Sequence, residues 1–223
     1  ILLLKDYWIN MLEFKEKKIL ILAPHTDDAE FGMGGSIAKF IEDGNTVYSA
    51  AFSACKHSVL SEFPEDILVT EVKEASSILG IAEQNLYLFE YDVRTFSANR
   101  QSILDAIISL RETLKPDVVF IPSLQDVHQD HKVIAEEGRR AFKFGTLLSY
   151  ELPWNNFSFG NACFVILEDR HILAKERAIK AYKSQAHRIY ASPDFARSLA
   201  RTRGVQINNN FAECFEIVRL VLQ

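Results

Sequence analysis

Five consecutive apolar residues, Ile19 to Ala23 in "KKILILAPH", leave no polar face on a strand running through them. A strand of that kind must be covered on both sides, which places it inside a sheet sandwiched between helices. The same pattern recurs down the chain. "TVYSAAFS", "NLYLFEY" and "DVVFIPS" read as further strands, and residues 34–44, 68–79 and 103–114 carry apolar side chains at helical spacing, with Gly44, Gly80 and Pro116 as terminators. Strands alternating with helices imply an α/β fold with a mostly parallel sheet and helices on both faces. Beyond Thr146 the alternation loosens: "TLLSYE" and "ACFVILED" are expected strands, residues 172–185 an expected helix, and "CFEIVRLVL" fits either state.

At 223 residues with 48% hydrophobic content, the chain suffices for one substantial core. No repeat or low-complexity linker divides it, so a single domain is expected over residues 18–223, after an N-terminal extension at 1–17. Met11 stands just ahead of the first strand and is the expected translation start. Acidic residues outnumber Lys and Arg by 30 to 25, which gives no general attraction for nucleic acid or anionic membrane. Cys55, Cys163 and Cys214 are odd in number and far apart, arguing against a disulfide framework or a thiolate zinc site. No integral membrane segment is expected and a cytoplasmic location is.

In a parallel α/β sheet, function gathers in the loops beyond the carboxyl ends of the strands. Two such loops here are strongly polar: His25-Thr26-Asp27-Asp28 after the strand at 18–23, and "DVHQDHK" after the strand at 117–121, with His128, Asp130 and His131. Adjacent aspartates can merely cap a helix, and a single loop histidine is often only solvated. Both loops together, at strand ends, point to a metal. Nitrogen and oxygen donors suit Zn²⁺, with Fe²⁺, Mn²⁺ or Ni²⁺ as other candidates. His25, Asp28 and His131 would supply three ligands, and Asp27 would be free to take a proton.

These loops, "PHTDDAEFGMGG" and "HQDH", resemble the signatures of the LmbE/PIG-L family of metal-dependent N-acetylglucosaminyl deacetylases. The likeness continues in "AYKSQ" and in "RGVQINNNFAECFE", so it spans nearly the whole chain from Lys18. It implies a Rossmann-like three-layer sandwich and a zinc-dependent hydrolase that removes acetyl from a small N-acetyl sugar or its conjugate. It also implies His25, Asp28 and His131 as metal ligands, Asp27 as general base, a protonated His128 that stabilises the transition state, and Asp130 as the carboxylate orienting His128. Self-association, common in that family, follows from the resemblance alone. Other readings of such a site are hydrolysis of another small amide, or sugar or nucleotide binding without catalysis.

The chain departs from the family pattern at Thr26, where proline is usual, and at Ala29, where many members have glutamate; it also lacks an arginine near the start of the helix at 68–79. Gly34 and Gly35 are expected to let a helix approach the metal loop closely. Trp154, Phe157 and Phe159 are candidates for a sugar-stacking rim, and Ser184 and Gln185 for polar substrate contacts. His187 and Arg188 are expected to be solvated, and His57 and His171 to lie on the surface.

Overall fold

In the computed structural model, which describes residues 14–222, the apolar run becomes β1 (Lys18–His25), with Ile19 to Ala23 all at 0% exposure. It is followed by α1 (Asp28–Glu42), β2 (Thr46–Ser53), α2 (Ile67–Leu79), β3 (Leu86–Leu88), α3 (Arg100–Leu114), β4 (Val118–Pro122), α4 (Gln129–Ala141) and β5 (Thr146–Tyr150). The chain then forms β6 (Cys163–Leu167), α5 (Asp169–Ala181), α6 (Pro193–Gln206) and β7 (Phe211–Arg219). Residues 1–13 of the expected extension, Met11 among them, lie outside the described residues.

The seven strands run in the order β3-β2-β1-β4-β5-β7-β6, parallel from β3 to β5, with β7 antiparallel to both neighbours. The two-residue period of the strands splits the core in two. Ile19, Ile21, Ala23 and Phe120 face α1, α2 and α5, while Leu20, Leu22, Val119 and Ile121 face α3 and α4. The result is the three-layer sandwich expected. Each fully covered Leu or Ile contributes roughly 1.5–3 kcal/mol over an exposed one.

Several boundaries differ from the sequence reading. The expected strand "NLYLFEY" is regular only over Leu86–Leu88, at the sheet edge, although the Phe89 and Tyr91 amides still donate to Ala51 and Phe52 of β2. The ambiguous C-terminal segment is a strand because it is inserted between β5 and β6. His171, expected at the surface, is 2% exposed. Its Nδ1 accepts the Glu168 N–H at 3.0 Å and its Nε2 meets Glu42 Oε2 at 2.8 Å, so it closes a capping box at the start of α5.

α1 is broken at Met33, which has φ −147° and ψ 27°. The break frees the amides of Gly35 and Ser36, and both donate to the Glu213 carboxylate of β7, at 3.1 and 2.6 Å. Lys175 Nζ on α5 neutralises that carboxylate at 2.6 Å. A Cβ at Gly35 would stand 2.6 Å from Leu167 Cδ1, and one at Gly34 3.0 Å from Lys175 Cγ. The glycines therefore admit β6 and α5, not the metal loop.

Candidate active site

β1 lies where the strand order reverses: the chain first builds outward through β2 and β3, then returns to β4 on the other side. Loops leaving the carboxyl ends of β1 and β4 diverge there and open a crevice. His25 ends β1, Asp27 is the N-cap of α1 and Asp28 its first residue. His128 is the N-cap of α4, so the second loop is in fact a helix start, with Asp130 and His131 in its first turn.

His25 Nδ1 stands 3.1 Å from Asp28 Oδ2, Asp28 Oδ2 is 3.3 Å from His131 Nε2, and His131 Nε2 is 3.2 Å from His25 Nδ1. Ligand atoms on a tetrahedral zinc with bonds near 2.05 Å are about 3.3 Å apart, so this triangle has the edge length of such a site. The outer nitrogens of both rings face carboxylates: His25 Nε2 meets Asp130 Oδ2 at 3.2 Å and His131 Nδ1 meets Asp126 Oδ2 at 2.7 Å. A neutral imidazole has a single N–H, and spending it outward leaves a bare lone pair inward. With both rings neutral and their N–H groups turned outward, two inward nitrogens and a carboxylate oxygen converging within 3.3 Å would suit a divalent cation. His128 also brings a ring nitrogen within 4.8 Å of those of His25 and His131, but Asp28 closes the tighter set.

Asp126 went unassigned in the sequence, although a carboxylate two residues ahead of an amide is the signal of an Asx turn. Its Oδ1 accepts the His128 N–H at 2.8 Å while Oδ2 holds His131. The expected partnership of Asp130 with His128 is not the one formed. The N-cap geometry turns His128 Nδ1 back onto the Asp130 backbone N–H at 3.2 Å, and the Asp130 carboxylate instead reaches across to His25 and to the Arg94 N–H at 2.6 Å.

Burial, followed by the neighbouring Asp28 charge, pushes Asp27 up to about 6. For Asp28 burial acts in the same direction, but His131 and His25 outweigh it and hold the carboxyl at about 2. Glu30, fully buried behind them, is raised to about 8 by burial, so it adds no negative charge near neutral pH. Burial, then His131 and His25, lower His128 to about 4. That direction disfavours the protonated form expected of it, and with Nδ1 accepting the Asp130 amide the proton of the neutral ring is on Nε2.

A cavity of about 420 Å³ opens over these groups. Trp154 lines it, stacked on Tyr190 with centroids 4.1 Å and planes 7° apart, and edge-on to Phe31. Gln185 lines it too, and Gln185 Oε1 accepts from Arg188 Nε at 2.6 Å. Arg188, expected in solvent, is half-buried on the same wall. Ser184 is not part of the lining: its Oγ donates to Glu71 Oε2 at 2.6 Å, pinning the turn after α5 to α2. Phe157 is 91% exposed, and neither it nor Phe159 lines the cavity. A larger groove, about 1010 Å³ between α3, α4 and β7, contains none of the expected site residues.

The family model described as PIG-L, GlcNAc-PI de-N-acetylase, matches residues 20–142. The chain is 27% identical over 179 residues to the uncharacterized deacetylase YaiS of Escherichia coli K12, covering 76% of this chain and 92% of YaiS. Among solved structures, the conserved protein TT1542 of Thermus thermophilus superposes with a TM-score of 0.76 at 25% identity, over 93% of this chain and 97% of that one. The N,N'-diacetylchitobiose deacetylase of Pyrococcus horikoshii also gives 0.76, at 23% identity, over 91% and 84%.

Proposed function

The chain belongs to the PIG-L family, and from that premise we propose that it is a metal-dependent hydrolase that removes the N-acetyl group of an N-acetylglucosamine-type sugar or conjugate. The observation that carries the reading is the triangle of His25 Nδ1, Asp28 Oδ2 and His131 Nε2, with the Asp27 carboxylate on the same cavity. The family description and the chitobiose deacetylase among the structural neighbours support the choice of sugar.

His25, Asp28 and His131 would hold the cation, zinc by the donor set. When bound it supplies Lewis acidity at the acetyl carbonyl and acidifies a water molecule. Asp27, raised towards neutrality by burial, takes a proton from the attacking water and returns it to the departing amine. His128 donates its Nε2–H to the carbonyl oxygen as negative charge builds there, acting as a neutral donor. Asp126 and Asp130 fix the rings of His131 and His25 against rotation. Water adds to the acetyl carbon, the C–N bond breaks, and acetate and a free amino sugar leave. Trp154 contributes an apolar wall for the sugar ring.

The test is metal content of the purified protein together with acetate release from a panel of N-acetylglucosamine derivatives. One zinc per chain with acetate release is expected. A protein that takes up no zinc when it is supplied would overturn the reading.

A further inference from the structure

Glu71 stands on α2, 3% exposed and outside the lining of the cavity. Its Oε1 accepts the Ser184 N–H at 2.9 Å and its Oε2 the Ser184 hydroxyl at 2.6 Å. That hydroxyl in turn accepts from Gln185 Nε2 at 3.1 Å, and Gln185 Oε1 accepts from Arg188 Nε at 2.6 Å. Arg188 Nη1 donates to the Tyr190 hydroxyl at 2.8 Å, and the Tyr190 ring stacks on Trp154 at 4.1 Å. One unbroken relay thus joins a buried carboxylate to the aromatic wall of the cavity.

The relay has a direction. A guanidinium only donates, and here both oxygens of Glu71 accept. Between these ends the Gln185 amide must turn its oxygen to Arg188 and its nitrogen to Ser184, and the Ser184 hydroxyl must pass its own proton on to Glu71. Glu71→Gln would still hold Ser184 twice, accepting its N–H and donating to its hydroxyl, so the tether between α2 and the turn after α5 would survive. The hydroxyl would then have to donate to Gln185, the amide would flip, and its nitrogen would face Arg188 Nε, donor against donor. A mismatch of that kind in a buried place leaves polar groups unpaired. A carboxylate is therefore needed at position 71 for what lies beyond the tether.

We propose that Glu71 is a positioning residue for the sugar site: acting through Ser184, Gln185 and Arg188, it fixes Tyr190 and Trp154 where the sugar ring packs. This rests on the deacetylase reading above and adds to it a residue that lies outside the cavity.

The test uses a Trp8→Phe background, in which Trp154 is the remaining tryptophan. Zinc-loaded protein is compared with Glu71→Gln, Gln185→Glu, the two combined, and Tyr190→Phe. The readouts are Trp154 fluorescence, calorimetric binding of the methyl glycoside of glucosamine, and acetate release from its N-acetyl form. Glu71→Gln should shift the Trp154 emission, weaken binding and raise KM by roughly tenfold, with zinc content and kcat little changed. Gln185→Glu alone sets two acceptors on the one Ser184 proton and should lose as much. The combined variant runs the relay the opposite way, with position 71 donating to Ser184 and Ser184 to the carboxylate at 185, which still accepts from Arg188. It should recover most of the loss, which a defect in packing would not do. Tyr190→Phe removes the last link, and adding Glu71→Gln to it should cost little more. Affinity unmoved by Glu71→Gln, a combined variant as weak as the two losses summed, or unchanged emission and affinity in Tyr190→Phe would overturn the positioning role. Recovery of emission in the combined variant without acetate release from the wild type would sink the deacetylase reading and keep the relay; acetate release with Glu71→Gln equal to wild type would do the reverse.

Discussion

Asp126 holds His131 Nδ1 at 2.7 Å with one carboxylate oxygen and the His128 amide at 2.8 Å with the other. A single buried side chain thus sets the ring of a proposed ligand and the first turn of the helix that carries it. Asp126→Ala should weaken zinc binding by about 10- to 100-fold, the usual cost of removing the partner behind a ligating histidine. Competition with a chromogenic chelator measures it, and unchanged affinity would remove Asp126 from the site.

His131→Ala deletes one corner of the donor triangle and leaves Asp126 Oδ2 without its partner. Zinc per chain, by elemental analysis after dialysis, should fall well below one. Full retention would reassign the ligands, with His128 the next donor in reach.

Asp27→Asn should keep zinc while lowering turnover by about a hundredfold or more, the range for loss of a general base. The pH profile carries the sign. Asp27 must be unprotonated to accept a proton, so wild-type activity falls as pH drops through its pKa of about 6, and a nearby cation moves that limb only downward. The residual activity of the variant should lack the limb.

Glu213→Ala uncaps the second half of α1 and strands Lys175 in the interior without a counter-charge. Breaking a buried pair from one side costs about 3–5 kcal/mol, readable as a lower urea midpoint. Adding Lys175→Met should recover part of the loss, because the unpaired charge goes with it.

Glu42 joins α1 to Arg170 and His171 of α5, and hydrogen bonding to Arg170, then to His171, holds its carboxyl at about 2 against an ordinary 4.5. The sign follows from the depressed value. Its stabilisation is complete above the unfolded pKa and is lost as pH falls from about 4.5 towards 2. The stability gap between wild type and Glu42→Gln should therefore be present at about pH 7 and shrink by about pH 3.

How much of this was legible in the sequence depends on how local the cause is. β1 and its neighbours announce themselves because a strand covered on both faces can carry no polar residue. The grouping of His25, Asp28 and His131 was legible because strand ends gather them. α4 was missed because its first turn is made of site residues, which read as a loop. α6 has its start signals in Ser192 and Pro193, but the side it buries is only Ala196, Ala200 and Gly204, too small to stand out as apolar. Arg188 and Tyr190 carry no local mark at all; only the fold brings them beside Asp27.

The carboxylate that caps the second half of α1 lies 177 residues further along the chain than the Ser36 amide it receives. His25 and Asp28 are thus among the first residues of the fold to be synthesised, whereas the brace for the helix that begins at Asp28 arrives with the last strand. The amides at the start of that helix's second half find their acceptor only where β7 lies between β5 and β6.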